Sequence, residues 1–91
     1  MNEKFVSSQF KDPFSPDEVI FSEKGVTFKV NKIIGGTESF VFYGDISGVE
    51  IDNGLLFSTI RVIPRARKEI IIENFTKSDA QEIKRLILER V

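Results

Sequence analysis

From Val19 to Phe75 apolar side chains recur at every second residue, and from Thr76 onward they recur three and four apart. This change of period constrains the fold more than any other feature. Successive side chains of a strand point to opposite faces, whereas a helix brings residues three and four apart onto one face. The first stretch therefore predicts half-buried strands and the second an amphipathic helix.

The strands can be followed one at a time. Val26, Phe28 and Val30 alternate with Thr27, Lys29 and Asn31, the pattern of an antiparallel strand with one wet face. "VIFS" precedes it across "EKG", which predicts a tight hairpin with Gly25 supplying the backbone freedom of the turn. The paired glycines of "IIGGTE" break that strand, and "SFVFY" begins the next, Phe40 and Phe42 opposing Val41 and Tyr43. Gly44 and Asp45 end it. "ISGVEID" follows, with Val49 and Ile51 expected in the core and Glu50 and Asp52 in water. Asn53-Gly54 predicts a type I′ hairpin turn, since both residues tolerate positive φ. "LLFSTIRVI" returns as a long strand, apolar on both faces near its start, and Pro64 ends it. "KEIIIENF" is a sixth strand with Ile70 and Ile72 inward.

In "TKSDAQEIKRLILERV" the apolar positions are Ala80, Ile83, Leu86, Ile87 and Val91. Ser78 with Gln81 matches a capping box, and Thr76 with Asp79 is a second candidate cap. Asp79 and Glu82 suit the positive end of the helix dipole and Arg90 the negative end. A terminal helix of about four turns, ~21 Å long, follows. The chain divides into an N-terminal extension (1–17), antiparallel strands (19–75) and a capping helix (77–91), all within a single domain. In the extension, "KDPFSPDE" reads as a connector. Phe5 and Phe10 suit a short helix or an edge strand, either plugging the core or docking on a neighbouring subunit.

Six strands and a closing helix, with "YGDISGVEID" in mid-sheet and "FTKSDAQEIKRLI" leading into the helix, resemble the bacterial pleckstrin-homology-like domains. The resemblance covers about residues 18–91. It implies a mainly β fold with one C-terminal α-helix: two roughly orthogonal antiparallel sheets of six to seven strands, capped by the helix. A seventh strand would come from a broken long strand or from the N-terminal segment. The resemblance implies no lipid site. Members that bind inositol phosphates carry several basic residues around the first hairpin, and here that turn is "SEKG", followed only by Lys29 and Lys32.

Composition removes much chemistry. The chain has no cysteine and no histidine, so thiolate sites, thiol nucleophiles, the commonest metal ligand and the usual proton shuttle are missing. Thirteen basic residues against fourteen acidic ones give a net charge of −1, without the concentrated positive surface that nucleic acid requires. No apolar run approaches the ~20 residues of a membrane span. The start of the chain lacks the apolar segment of a secretion signal, so a soluble, cytoplasmic protein without membrane contact is expected.

One charged cluster stands out, Arg61, Arg65, Arg67 and Lys68 within "IRVIPRARKEI". Arginine forks there would grip phosphate or carboxylate, or the cluster is simply a solvated hairpin end that discourages edge-to-edge pairing. Asp45, Glu50 and Asp52 lie close together but offer too few oxygens for calcium, so a solvent face is the plainer reading. Gly35-Gly36 joins two strands and opens no helix, which excludes a phosphate loop. No catalytic constellation and no cofactor motif appears. The expectation is a non-catalytic protein-interaction module, with an unidentified protein partner or a second copy of itself. Its partner edge would be "LLFSTIRVI" or the N-terminal phenylalanines. The alternative is an anion or acidic-lipid headgroup binder using the Arg61–Lys68 cluster.

Overall fold

Each stretch read as alternating contains a strand, though Tyr43 passes into a 3-10 turn and Leu55 and Leu56 into a hairpin turn. The structure, a computed structural model, describes residues 3–7, 16–31 and 35–91. Over these residues the chain runs β1 (Glu3–Val6), β2 (Glu18–Phe21), β3 (Gly25–Asn31), β4 (Gly36–Phe42), a short 3-10 turn (Tyr43–Asp45), β5 (Ile46–Asn53), β6 (Phe57–Pro64), β7 (Ile70–Thr76) and α1 (Lys77–Arg90). The first four strands form one antiparallel sheet in the order β1-β2-β3-β4, and the last three form another in the order β5-β6-β7.

The seventh strand comes from the N-terminal extension. Glu3 pairs with Phe21 and Val6 with Glu18, and Phe5 packs edge-on against Phe21 with ring centroids 5.9 Å apart. Phe10 and Phe14 lie outside the described residues.

Val19, Phe21, Val26, Phe28 and Val41 turn inward from the first sheet, and Ile60, Val62, Ile72 and Phe75 from the second. The helix covers them with Ala80, Ile83, Leu86 and Ile87, lying against β5, β6, β7 and the 3-10 turn. Fully burying each such large side chain contributes roughly 1.5–3 kcal/mol. Val91, expected on the same face, is 55% exposed, because it lies past the last helical turn with only its N–H bonded to the Ile87 carbonyl. Of the two candidate caps, Thr76 with Asp79 is the one that forms, two residues before the Ser78 box. β7 stays paired through Thr76 opposite Phe57, so the helix starts at Lys77 and the Thr76 hydroxyl accepts the Asp79 N–H at 3.2 Å.

Two β-bulges adjust the inward faces. On β5 an extra residue beside Gly48 puts both Ile46 and Val49 in the core, and the Ser47 hydroxyl donates to the Ile63 carbonyl at 2.8 Å. On β7 the bulge falls between Ile72 and Phe75, with Asn74 at φ 66°. Plain alternation would send Phe75 into water. The bulge returns it to the core just before the helix.

The turn glycines act by their small size. A Cβ on Gly25 would stand 2.3 Å from the Val41 carbonyl oxygen, so the residue lets β4 lie close rather than relaxing the turn. The hairpin at Asn53-Gly54 also differs from expectation. Among the described residues Asn74 and two glycines, Gly35 and Gly36, have positive φ, so no type I′ turn forms there. The turn is centred on Leu55 and Leu56, closed by Gly54 N–H to the Phe57 carbonyl at 2.8 Å. That register sets Ile51 against Ile60 and Val49 against Val62, and these apolar pairs outweigh the local turn preference. As a result Leu55 and Leu56 leave the strand, 92% and 69% exposed. β6 is bonded on both sides and has no edge to offer a partner.

The two sheets meet at Asp17, within the segment read as a connector. Its buried carboxylate accepts the Asn31 N–H of β3 at 3.0 Å and the Glu73 N–H of β7 at 3.1 Å. Its own N–H donates to the Ser7 hydroxyl at 2.7 Å, and its carbonyl accepts the Ser7 N–H at 2.8 Å. Replacing it leaves two partly buried N–H groups without their charged acceptor. Asp17→Ala is therefore expected to lose about 3 kcal/mol in urea unfolding, and Asp17→Asn, which keeps one amide oxygen, clearly less.

Tyr43, the single tyrosine, is buried and its hydroxyl donates to the Ser22 carbonyl at 2.5 Å. The Arg90 guanidinium sits 5.8 Å from its ring centre. Burial pushes the phenol above its ordinary value, and Arg90 partly opposes this. The folded state favours the neutral phenol, so this contribution is complete below about pH 10 and is lost as pH rises through the folded value. Tyrosinate absorbance should show a midpoint above about 10 in the native protein. That midpoint should fall in urea and rise further in Arg90→Met.

Candidate functional site

Where the four cations of the Arg61–Lys68 cluster lie follows from strand alternation and from the turn that ends β6. Arg61 sits between inward Ile60 and Val62, so its side chain is on the outer face of the second sheet. There it meets Glu50 directly across on β5, Asp52 at 3.4 Å and Glu69 at 3.2 Å. Glu50 first, then Asp52 and Glu69, hold the guanidinium more firmly protonated than usual. The acidic pair weighed for calcium thus serves as counter-charge. Among the described residues no group of three or more Asp, Glu, His or Cys could hold a metal ion.

Arg65 has a different task. Its N–H donates to the Asp45 carbonyl at 2.8 Å and its Nε to the Gly44 carbonyl at 3.0 Å. It fastens the β6–β7 connection to the 3-10 turn. Arg67 and Lys68 come together beyond it, both exposed, with no ion pair to a described residue.

These two cations border a cleft of about 520 Å³. One side is made by Val30 of β3 with Thr37 and Ser39 of β4, the other by Ile70 and Ile71 of β7 with Glu69 ahead of them. β4 and β7 are the outermost strands of their sheets, and the cleft occupies the space between them. Ile70 is buried at its back while Ile71 is 48% exposed. The arrangement combines apolar contact, two hydroxyls and two unneutralised positive charges, the elements of recognition. Of the sequence-derived residues, Arg67 and Lys68 reach it. Arg61 and Arg65 are occupied elsewhere.

Val30, Thr37, Ser39 and Ile71 escaped the reading of the sequence, because their role depends on two strand edges that are far apart along the chain. The exposed Ile71 amid "IIIENF" was the one available signal, being the outward member of an otherwise inward trio. Among the described residues, other exposed apolar side chains include the edge-to-face pair Phe40 and Phe42 on the outer face of β4, 5.1 Å apart, the Leu55-Leu56 tip, and Leu88 and Val91 at the end of the helix. Among the described residues no helix is long and apolar enough to cross a membrane.

Neither curated proteins nor solved structures gave a match to the chain. The model of a family of bacterial PH domains matches residues 4–89, which takes in β1 and nearly the whole helix. With two antiparallel sheets and one closing C-terminal helix across that span, the chain belongs to the bacterial PH domain family.

Proposed function

We infer that this chain is a non-catalytic interaction module that docks a protein, a second copy of itself included, at the cleft between β4 and β7. The observation carrying this reading is the pairing of two uncompensated cations, Arg67 and Lys68, with the exposed apolar Ile71 at an open sheet edge. Elsewhere on the same sheet the half-buried cation Arg61 is faced by three carboxylates. An interaction role also suits a PH domain.

Arg67 and Lys68 equally motivate a second reading, an anion or acidic-lipid headgroup site. The original cluster included Arg61 and Arg65, and these two serve as controls.

Charge reversal of Arg67 and Lys68 together is expected to leave the urea midpoint unchanged, since neither is paired with a described residue. It should remove the proteins captured from native extract by the wild-type bait. Identical captures by both forms would take the docking role away from this cleft. Light scattering across micromolar concentrations tests self-association, which a strict monomer excludes. On vesicles containing phosphatidylserine the chain is expected not to float. Flotation that is lost on reversing Arg67 and Lys68, but not Arg61 and Arg65, would favour the headgroup reading.

A further inference from the structure

The cleft lies where two sheet edges part. Asp17 clamps the seam by holding the N–H of Asn31 at the end of β3 and that of Glu73 on β7. From Glu73 back toward the start of β7, nothing described fills the gap between Ile71 and the β4 residues Thr37 and Ser39. The Glu73 N–H points away from β6, because Asp17 takes it. In an antiparallel strand the N–H and C=O of each residue share one side, and successive residues alternate. Ile71 therefore turns its backbone to the same free edge as Glu73. Strand edges of this kind are normally blocked by lysine, proline or a bulge. Here the bulge at Asn74 lies beyond the clamp and leaves Ile71 open.

We propose that the cleft takes an extended, acidic polypeptide segment that adds as a strand along the free edge of β7, with alternate side chains against Val30 and Ile70 and acidic ones beside Arg67 and Lys68. This rests on the cleft being the docking site and names the chemistry of its partner. Strand addition derives affinity from main-chain hydrogen bonds and specificity from alternate side-chain positions, and the cleft supplies both. Three features favour a peptide over a headgroup phosphate. The space of about 520 Å³ is large for one phosphate, the lining from Val30, Ile70 and Ile71 would meet nothing apolar on it, and the free backbone edge would go unused. Charge sets the sign of the partner. Glu69 is turned toward Arg61 at 3.2 Å, whereas Arg67 and Lys68 pair with no described carboxylate, so side chains beside these two cations are best acidic.

The test uses the full chain and a fluorescent octapeptide alternating valine and glutamate, followed by anisotropy. Three comparisons accompany it: the same peptide N-methylated at every second residue on each edge in turn, a valine–lysine counterpart, and the protein with Arg67→Glu and Lys68→Glu. Saturable binding is expected for the parent peptide. N-methylation of one edge should weaken it about tenfold or more, as should the charge reversal, and the lysine peptide should fail. Hydrogen exchange should show the Ile71 amide newly protected. Equal binding by both N-methylated forms overturns strand addition while leaving the cleft as a charge-driven docking site. Binding indifferent to the charge reversal overturns the cleft itself. No peptide binding, with vesicle flotation sensitive to Arg67 and Lys68, assigns the site to headgroups instead, and no binding by either probe rejects the proposal.

Discussion

Two antiparallel sheets with free edges must be fastened where those edges meet. In this chain the Asp17 carboxylate holds the end of β3 to Glu73 of β7, beside its bulge. A buried carboxylate is costly unless its oxygens receive donors, and here two backbone N–H groups from different sheets supply them. The same contacts set the ends of the molecule apart. On one side of the clamp the bulge carries Phe75 back to the core and the chain into the helix. On the other side the edges separate and leave the cleft.

The helix depends on that geometry. It packs on β5, β6 and β7 through Ala80, Ile83, Leu86 and Ile87, and its last turn brings Arg90 over the rings of Phe21 and Tyr43, 5.9 and 5.8 Å away. Arg90 also donates to the Leu86 carbonyl one turn back at 2.9 Å, which holds its guanidinium against the end of the helix. On the solvent side Arg85 bridges Glu82 and Glu89, a local arrangement that stabilises little because it is exposed. The core, not these surface pairs, keeps the helix in place.

The near balance of charge conceals a division of labour. Thirteen cations against fourteen anions suggest no attractive surface at all. Arg61 is surrounded by Glu50, Asp52 and Glu69, and Arg65 is bonded to backbone, whereas Arg67 and Lys68 are left beside apolar residues at a strand edge. A site of this kind arises from where the counter-charges are, not from net charge.

Most of the fold was legible in the sequence, since the inward face of β3, those of β5 and β7 outside their bulges, and the helix follow from side-chain period alone. Of the candidate site only Arg67 and Lys68 were. Periodicity is written by near neighbours, so residues within a few positions determine which segments are strands, which is helix and which face of each is apolar. Tertiary structure alone decided the rest. The turn moved to Leu55-Leu56, Gly25 became a point of close approach, and the Thr76–Asp79 cap was selected over the Ser78 box, because partner strands and the end of β7 dictated these outcomes. It likewise made Asp17 a clamp and divided four neighbouring cations into three environments. Each of these outcomes is a contact between residues far apart along the chain, and local pattern cannot specify which distant groups will meet.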